Sequence, residues 1–371
     1  MPGRWNTCVR HDEGSVDNFL NEYLADPKRR PLLIGAAGFD PRSLIFPRKI
    51  ADLAGDRTKA IALREERDDA PEELVASGNK HEQAFRDMFG SAEMIQAAIF
   101  ADDLAVVGGR KFVAELNKVD LTGFSDIFLD VSSISVGVYY PVFSLLLEKS
   151  AHLGVNLHLL LASNPNSDRR AVPTYSDRID SPHGMAFESD MIGDARPPNE
   201  GRLWLPQLRL NTNAECARIF DAVNPDDVCP ILPFPSRDPR TADQIATGFA
   251  AEFDVWGVDP RSVLLASDYN PLDIYRSIIR LSQARRHVFG ETQSSIVLTP
   301  MGSRATAVGM LLAAYELRLP VISSEVLGYR WEPEVLPAED RLTHLWINGP
   351  IDTVAVVDTS EVNPQSGTQT G

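Results

Sequence analysis

Short apolar runs closed by turn-forming residues, each followed by a longer segment with helical spacing, recur along this chain. That alternation predicts parallel strands joined by helices. The clearest unit is 294–325. Ile296, Val297 and Leu298 form a run suited to a strand covered on both faces, and Thr299-Pro300-Met301-Gly302-Ser303 stops it. Residues 304–317, rich in Ala, Gly and Leu, are expected to form a helix that packs closely on a sheet, and Val321 and Ile322 begin the next strand. Upstream, Val16, Phe19, Leu20, Tyr23 and Leu24 have helical spacing, and a basic, proline-bounded linker at 26–31 makes that helix look peripheral.

The same rhythm fills both halves. In the first, a strand at 32–34 leads through the loop 35–43 into a helix reaching 53. A second strand at 59–63 ends in Arg64-Glu65-Glu66, helical patterns around an apolar segment at 94–100 fill 71–121, and a strand at 127–129, a helix at 138–152 and a strand at 155–161 follow. In the second, a strand at 229–232 leads through 233–240 into a helix reaching 253, with a strand at 262–266 and a helix at 272–286 before the unit described above. Asp-Pro-Arg stands at both helix entrances, 40–42 and 238–240, although a third copy at 259–261 shows how easily the tripeptide recurs. The expected fold is therefore α/β: two Rossmann-like, doubly wound parallel-sheet domains from an ancient duplication, with an insertion in the first half, most simply within 71–121. Boundaries fall at 1–30 for the opening helix and linker, 31–162 for the first domain and 211–358 for the second. The turn-rich segment 163–210 is read as an inter-domain crossing and 359–371 as a disordered tail. Strand-like runs at 344–347 and 353–357 are expected to extend a sheet edge.

Charge narrows the partners. Across 371 residues, 52 acidic side chains against 36 Lys and Arg leave a formal charge of −16. That field opposes bulk binding to nucleic acid or anionic membrane, while leaving room for a basic cleft that holds one phosphate. The three cysteines, Cys8, Cys216 and Cys229, have neither zinc spacing nor a close pair, which points to a reducing cytoplasm and no metal site. No run approaches the roughly 20 apolar residues of a membrane span, and the opening residues lack the apolar stretch of a secretion signal.

Candidate chemistry lies in the loops after the strands, where open α/β sheets bind ligands. Gly35, Gly38, Asp40 and Arg42 in the first such loop, Ser132 and Ser133 after the 127–129 strand, Arg237, Asp238 and Arg240 in the second half, and Gly302, Ser303 and Arg304 are the expected ligand contacts. Helix N-termini favour anions, and guanidinium forks strengthen that preference. The bland alternative is of equal weight: Asp-Pro-Arg is also an N-cap, an N1 proline and a solvated arginine. Asp130 and Asp268 are the candidate acid/base groups, with a helix cap as the competing role for Asp130. Glu66 stands at a strand end like a ribose-binding carboxylate, farther from the glycine loop than the usual interval. Gly35-x-x-Gly38-Phe39-Asp40-x-Arg42 is similar to the first glycine loop of some adenosylmethionine-dependent methyltransferases, but the rest of the chain does not follow that pattern.

No Gly-x-x-x-x-Gly-Lys-[Ser/Thr] and no Gly-x-Ser-x-Gly occurs, so neither a P-loop NTPase nor a nucleophile-elbow hydrolase is indicated. The preferred reading is binding or sensing of a nucleotide or other phosphorylated small molecule in a cleft between the halves, in the manner of tandem Rossmann-like sensors of prokaryotic nucleotide signals. Two alternatives stand beside it. One is an enzyme on nucleotide or phosphoribosyl substrates using Asp130 or Asp268, with no cofactor identified. The other is a non-catalytic subunit of a larger assembly, with a protein partner or a second copy of the chain.

Overall fold

The computed structural model describes residues 3–68, 70–164, 171–183, 201–290, 294–331 and 339–349. In chain order the first half comprises β1 (Val9–Asp12), α1 (Gly14–Leu24), β2 (Pro31–Ala36), α2 (Ile45–Ala54), β3 (Lys59–Glu66), α3 (Glu72–Met88), β4 (Glu93–Ala98), α4 (Gly108–Asn117), β5 (Asp126–Asp130), α5 (Val136–Leu153) and β6 (Asn156–Ser163). After β7 (Ala171–Tyr175) come β8 (Gly201–Gln207), α6 (Asn213–Val223), β9 (Asp227–Val228), β10 (Ile231–Pro233), α7 (Thr241–Gly248), α8 (Ala250–Val255), β11 (Leu264–Ala266) and α9 (Pro271–Phe289). The last elements are β12 (Ser294–Pro300), α10 (Arg304–Leu317), β13 (Val326–Trp331) and β14 (Arg341–Asn348).

Two sheets carry the α/β architecture. The larger runs β1-β14-β6-β5-β2-β3-β4, and its five strands from β6 to β4 are mutually parallel. β14 lies antiparallel against β6, and β1 antiparallel against β14, so this sheet is mixed rather than wholly parallel. β2, β5 and β6 are buried along their full length, which is why they read as unbroken apolar runs, whereas edge strand β4 alternates buried and exposed positions. The smaller sheet runs β11-β10-β8-β12, all parallel, with β9 pairing beside β8. A bridge between Leu298 and Val321 sets Val321 alongside β12 in the fifth position. Setting β9 aside, both sheets place their parallel strands in the order third, second, first, fourth, fifth.

That order moves one sequence expectation. β8 is the first and central strand of the second sheet, yet it lies inside 163–210, the stretch expected as a crossing. Its apolar run, Leu203-Trp204-Leu205, is cut short by Pro206, and the turn-rich residues before it hide the strand. The loop after β10, with Asp238, therefore follows a second strand, while the loop with Asp40 follows a first strand. These two Asp-Pro-Arg loops are not in topological register. The β5–α5 and β12–α10 loops, by contrast, both follow fourth strands. β14, from the far C-terminal part of the chain, completes the first half's sheet. The strand expected at 353–357 and the tail at 359–371 lie outside the described residues.

The halves share their interior. One continuous hydrophobic cluster takes in Leu32, Ile34 and Leu129 from the first sheet, Leu205 and Leu298 from the second, and helices α5, α9 and α10. α5 and α10 are buried around almost their whole circumference because each lies between a sheet and the other half. Tyr140 on α5 donates a 2.6 Å hydrogen bond to Ala307 O on α10. At Gly309 a Cβ would stand 2.0 Å from Pro271 O, so only glycine lets α10 lie this close to the start of α9. α1, expected as peripheral, buries Val16, Phe19, Leu20, Tyr23 and Leu24 in a second cluster on the outer face of the large sheet.

Candidate functional site

The C-terminal ends of both sheets open onto one cleft of about 1100 Å³. Ala36, Glu66, Ala98 and Ser163 from the large sheet and Gln207, Pro233 and Pro300 from the small one reach its wall, together with the loops that follow. The charged lining among the described residues comprises eight arginines, no lysine and eight carboxylates, so the cleft is balanced inside a chain of formal charge −16. Guanidinium suits bidentate contact with phosphate or carboxylate.

Of the sequence-predicted ligand contacts, Gly38, Asp40, Arg42, Ser133, Arg237, Asp238, Gly302, Ser303 and Arg304 line this cleft, as does Asp268. Gly35, Asp130, Ser132 and Arg240 are not on its wall. Gly35 sits behind it, where a Cβ would stand 3.7 Å from Asp130 Cβ. Arg240 is exposed at the start of α7. Asp130 is buried, and its Oδ1 accepts from Ser132 N at 3.0 Å and from Ser132 Oγ. Ser132 Oγ in turn accepts Ala162 N at 2.7 Å, so this Asp-Ser pair ties β5 to β6. Burial pushes the Asp130 carboxyl up to about 7 against the pull of Ser132 and Arg304. The local geometry is the cap-like role weighed for Asp130, not a group presented to a ligand.

The Asp-Pro-Arg tripeptides share one local structure. Asp40, Asp238 and Asp259 each accept a hydrogen bond from the backbone N–H of the arginine two residues on, at 2.9, 3.0 and 2.8 Å. The proline fixes the intervening φ, so the turn forms wherever the tripeptide occurs. Only in the first copy is the pair buried: Arg42 Nε lies 3.0 Å and Nη2 2.5 Å from the Asp40 carboxylate. Burial opposes ionisation of Asp40, but the Arg42 charge and its hydrogen bonds outweigh it and hold the carboxyl below its usual range. His81 Nδ1, 2.6 Å from Gly38 O and 3.1 Å from Ser43 Oγ, pins this loop to α3.

The loop before α10 is built differently. Ser303 caps the helix, its Oγ accepting from Thr306 N at 3.4 Å, which leaves the Arg304 and Ala305 amides of the first turn without intrahelical partners. Arg304 itself reaches across to the first half and donates from Nη1 to Ile134 O and, at 3.2 Å, to Val131 O. Arg237 donates to Glu339 O at 3.2 Å.

Several cleft residues escape a motif-based reading. Arg67 pairs with Glu65 at 3.0 Å and with Glu325 at 3.4 Å, and its Nε donates to Val326 O, joining the two halves across the cleft wall. Glu65 also accepts Ser135 N at 2.7 Å. Burial raises the Glu325 carboxyl, with Arg67 opposing. Gln207 and Ser324 line the cleft with Oε1 and Oγ respectively buried and lacking a partner among the described residues; Ser133 Oγ is in the same state. Gln207 ends β8, so the rule of reading polar residues at strand ends would have found it once β8 was recognised; Ser324 lies between Val321 and β13, outside that rule, and Ser133 stands among the loop residues named from the sequence.

No protein-family model matches the chain, and no curated protein matches it. Among solved structures the chain is similar to the cytoplasmic domain of a prokaryotic cation chloride cotransporter, at 10% identity and a TM-score of 0.24, covering 80% of this chain and 95% of that one. It is also similar to the glycopeptide N-methyltransferase MtfA, at 17% identity and a TM-score of 0.19, covering 39% of this chain and 56% of that one. No helix among the described residues is long and apolar enough to cross a membrane. Both likenesses are slight, and neither assigns the chain to a family.

Proposed function

We propose that the cleft binds a nucleotide or another phosphorylated small molecule between the two sheets, and that the matching strand orders are the trace of a duplication. The observation that carries the reading is the convergence of two sets of parallel-strand C-terminal ends on one cavity, with the α10 N-terminus in its wall. Ligands of open α/β sheets lie at this edge, where the strand order reverses, and helix N-termini there favour anions. An arginine-rich lining in a strongly acidic chain supports the same choice. Binding without turnover fits the burial of Asp130 away from the wall. In the enzymatic alternative, Asp268, which does line the cleft, would be the acid/base group.

Mass spectrometry of the supernatant after denaturing the purified protein identifies what the cleft carries. With that molecule in a calorimeter, Ser303→Glu sets a negative side chain beside the free α10 amides and is expected to weaken binding by tenfold or more, with thermal melting showing that the variant is folded. Unchanged affinity would remove the phosphate from this end of the cleft.

A further inference from the structure

We infer that the β8–α10 end of the cleft takes a phosphate with a hydroxyl on the carbon next to the one that bears it, as in a glycerol phosphate, with the phosphate on the Arg304 and Ala305 amides and the hydroxyl on Gln207. The inference rests on the reading of the cleft as a phosphate site and adds a recognition residue to it.

Gln207 ends β8 and pairs with Pro300 of β12, so it stands at the junction of the first and fourth strands, where the strand order of the small sheet reverses. Its carboxamide orientation is set by chemistry. Nε2 donates to Ser303 O at 2.9 Å, and a carbonyl can only accept, so the amide nitrogen must face Ser303 and the oxygen must face away. Gly302 makes that approach possible, since a Cβ there would stand 2.6 Å from Nε2. The residue is 4% exposed and borders the cleft, and Oε1 finds no donor among the described residues. Ser324, 5% exposed and also on the cleft wall, leaves its Oγ in the same condition. A buried acceptor without a donor destabilises the empty protein, and a ligand that supplies the donor recovers that loss on binding.

The donor must be neutral. The positive end of the α10 dipole borders the same place and disfavours an ammonium group. A hydroxyl carries no such penalty. A bare phosphate would occupy the amides and leave Gln207 unmatched.

Three probes separate these ideas: methyl phosphate, 2-hydroxyethyl phosphate and O-phosphoethanolamine, titrated calorimetrically against the full chain. 2-Hydroxyethyl phosphate is expected to bind about three- to tenfold tighter than methyl phosphate, the gain of one net hydrogen bond, and phosphoethanolamine no tighter than methyl phosphate. Gln207→Leu should abolish the advantage of 2-hydroxyethyl phosphate, read as the ratio of its affinity to that of methyl phosphate in the same variant. Gly302→Ala leaves the amide chemically intact but displaces it, and should reduce the same advantage, so the result does not hang on one variant folding. Equal binding of all three probes, or preference for phosphoethanolamine, overturns the hydroxyl assignment while the phosphate reading stands. An advantage that survives in both variants removes Gln207 from recognition. Failure of every probe to bind overturns the phosphate reading, and this inference with it.

Discussion

Asp130 and Arg42 show how differently two buried charges next to one site can behave. Asp130 has a folded-state carboxyl raised to about 7 from 3.8, mainly by burial, so the folded protein holds a proton there that the unfolded chain has released. Stability from this group is fully present below about 3.8 and is lost as pH rises towards 7. Asp130→Asn removes the titration, so relative to the unaltered protein it should gain stability between pH 4 and 7, by up to about 4 kcal/mol, and hold that gain above. Thermal melts of both proteins across that range check it, and a constant difference in melting temperature would mean that Asp130 titrates normally. Arg42 is the opposite case. It neutralises buried Asp40, so Arg42→Ala strands a carboxylate and is expected to cost about 3–5 kcal/mol in urea unfolding. Arg240→Ala, at an exposed position, should stay within about 0.5 kcal/mol. Equal losses would show that burial of the Asp40–Arg42 pair sets it apart in no way from an exposed arginine.

At the scale of the element, periodicity and strand-end chemistry made much of this fold legible. The spacing of Val16, Phe19, Leu20, Tyr23 and Leu24 picks out the buried face of α1 residue for residue. The strand-loop-helix of 294–325 appears as β12, the Ser303 cap and α10. What stayed hidden has physical reasons. β8 is short in apolar residues and interrupted by Pro206, and strand pairing between distant segments, such as β14 with β6, leaves no local signature. The nine cleft residues named from the loops were reachable because the loops at this edge of the sheets follow strands, whereas Arg240, in the same loop as Arg237 and Asp238, is exposed at the start of α7. Gly309 illustrates a signal that spacing cannot carry: it reads as one small residue among many in an Ala-rich helix, yet a Cβ there would run into both Pro271 O and Ile274 Cγ2. Gly309→Ala would ordinarily stabilise a helix by about 1 kcal/mol. Here the added methyl forces α10 off α9 and should cost about 1–3 kcal/mol instead, measured by denaturant midpoint at constant m-value. A stabilised variant would show that the helices separate freely.

For the whole molecule, the question is whether the halves are independent units, as two domains with a crossing would be. The structure joins them three ways. The main hydrophobic cluster runs from the first sheet through α5, α9 and α10 into the second. Arg304 and Tyr140 bridge the helices and loops of opposite halves, and Arg67 pairs with Glu325 across the cleft wall. Most tellingly, the first sheet is closed by β14 from the end of the chain, whose Leu345 and Trp346 are buried, and Trp5 from the beginning donates its indole N–H to Ile347 O. A fragment ending at residue 163 would therefore lose the strand covering β6 and expose the apolar flank of α5 that now meets α10. Such a fragment is expected to lack a cooperative melt, while the full chain should unfold in one transition whose calorimetric and van't Hoff enthalpies agree. Probe coincidence offers a second check: Trp204 and Trp256 report on the small half, Trp346 on the large sheet, and near-ultraviolet dichroism and intrinsic fluorescence should move together with the backbone signal. Two resolved transitions, or a 1–163 fragment that melts sharply, would show that the shared core does not couple the halves.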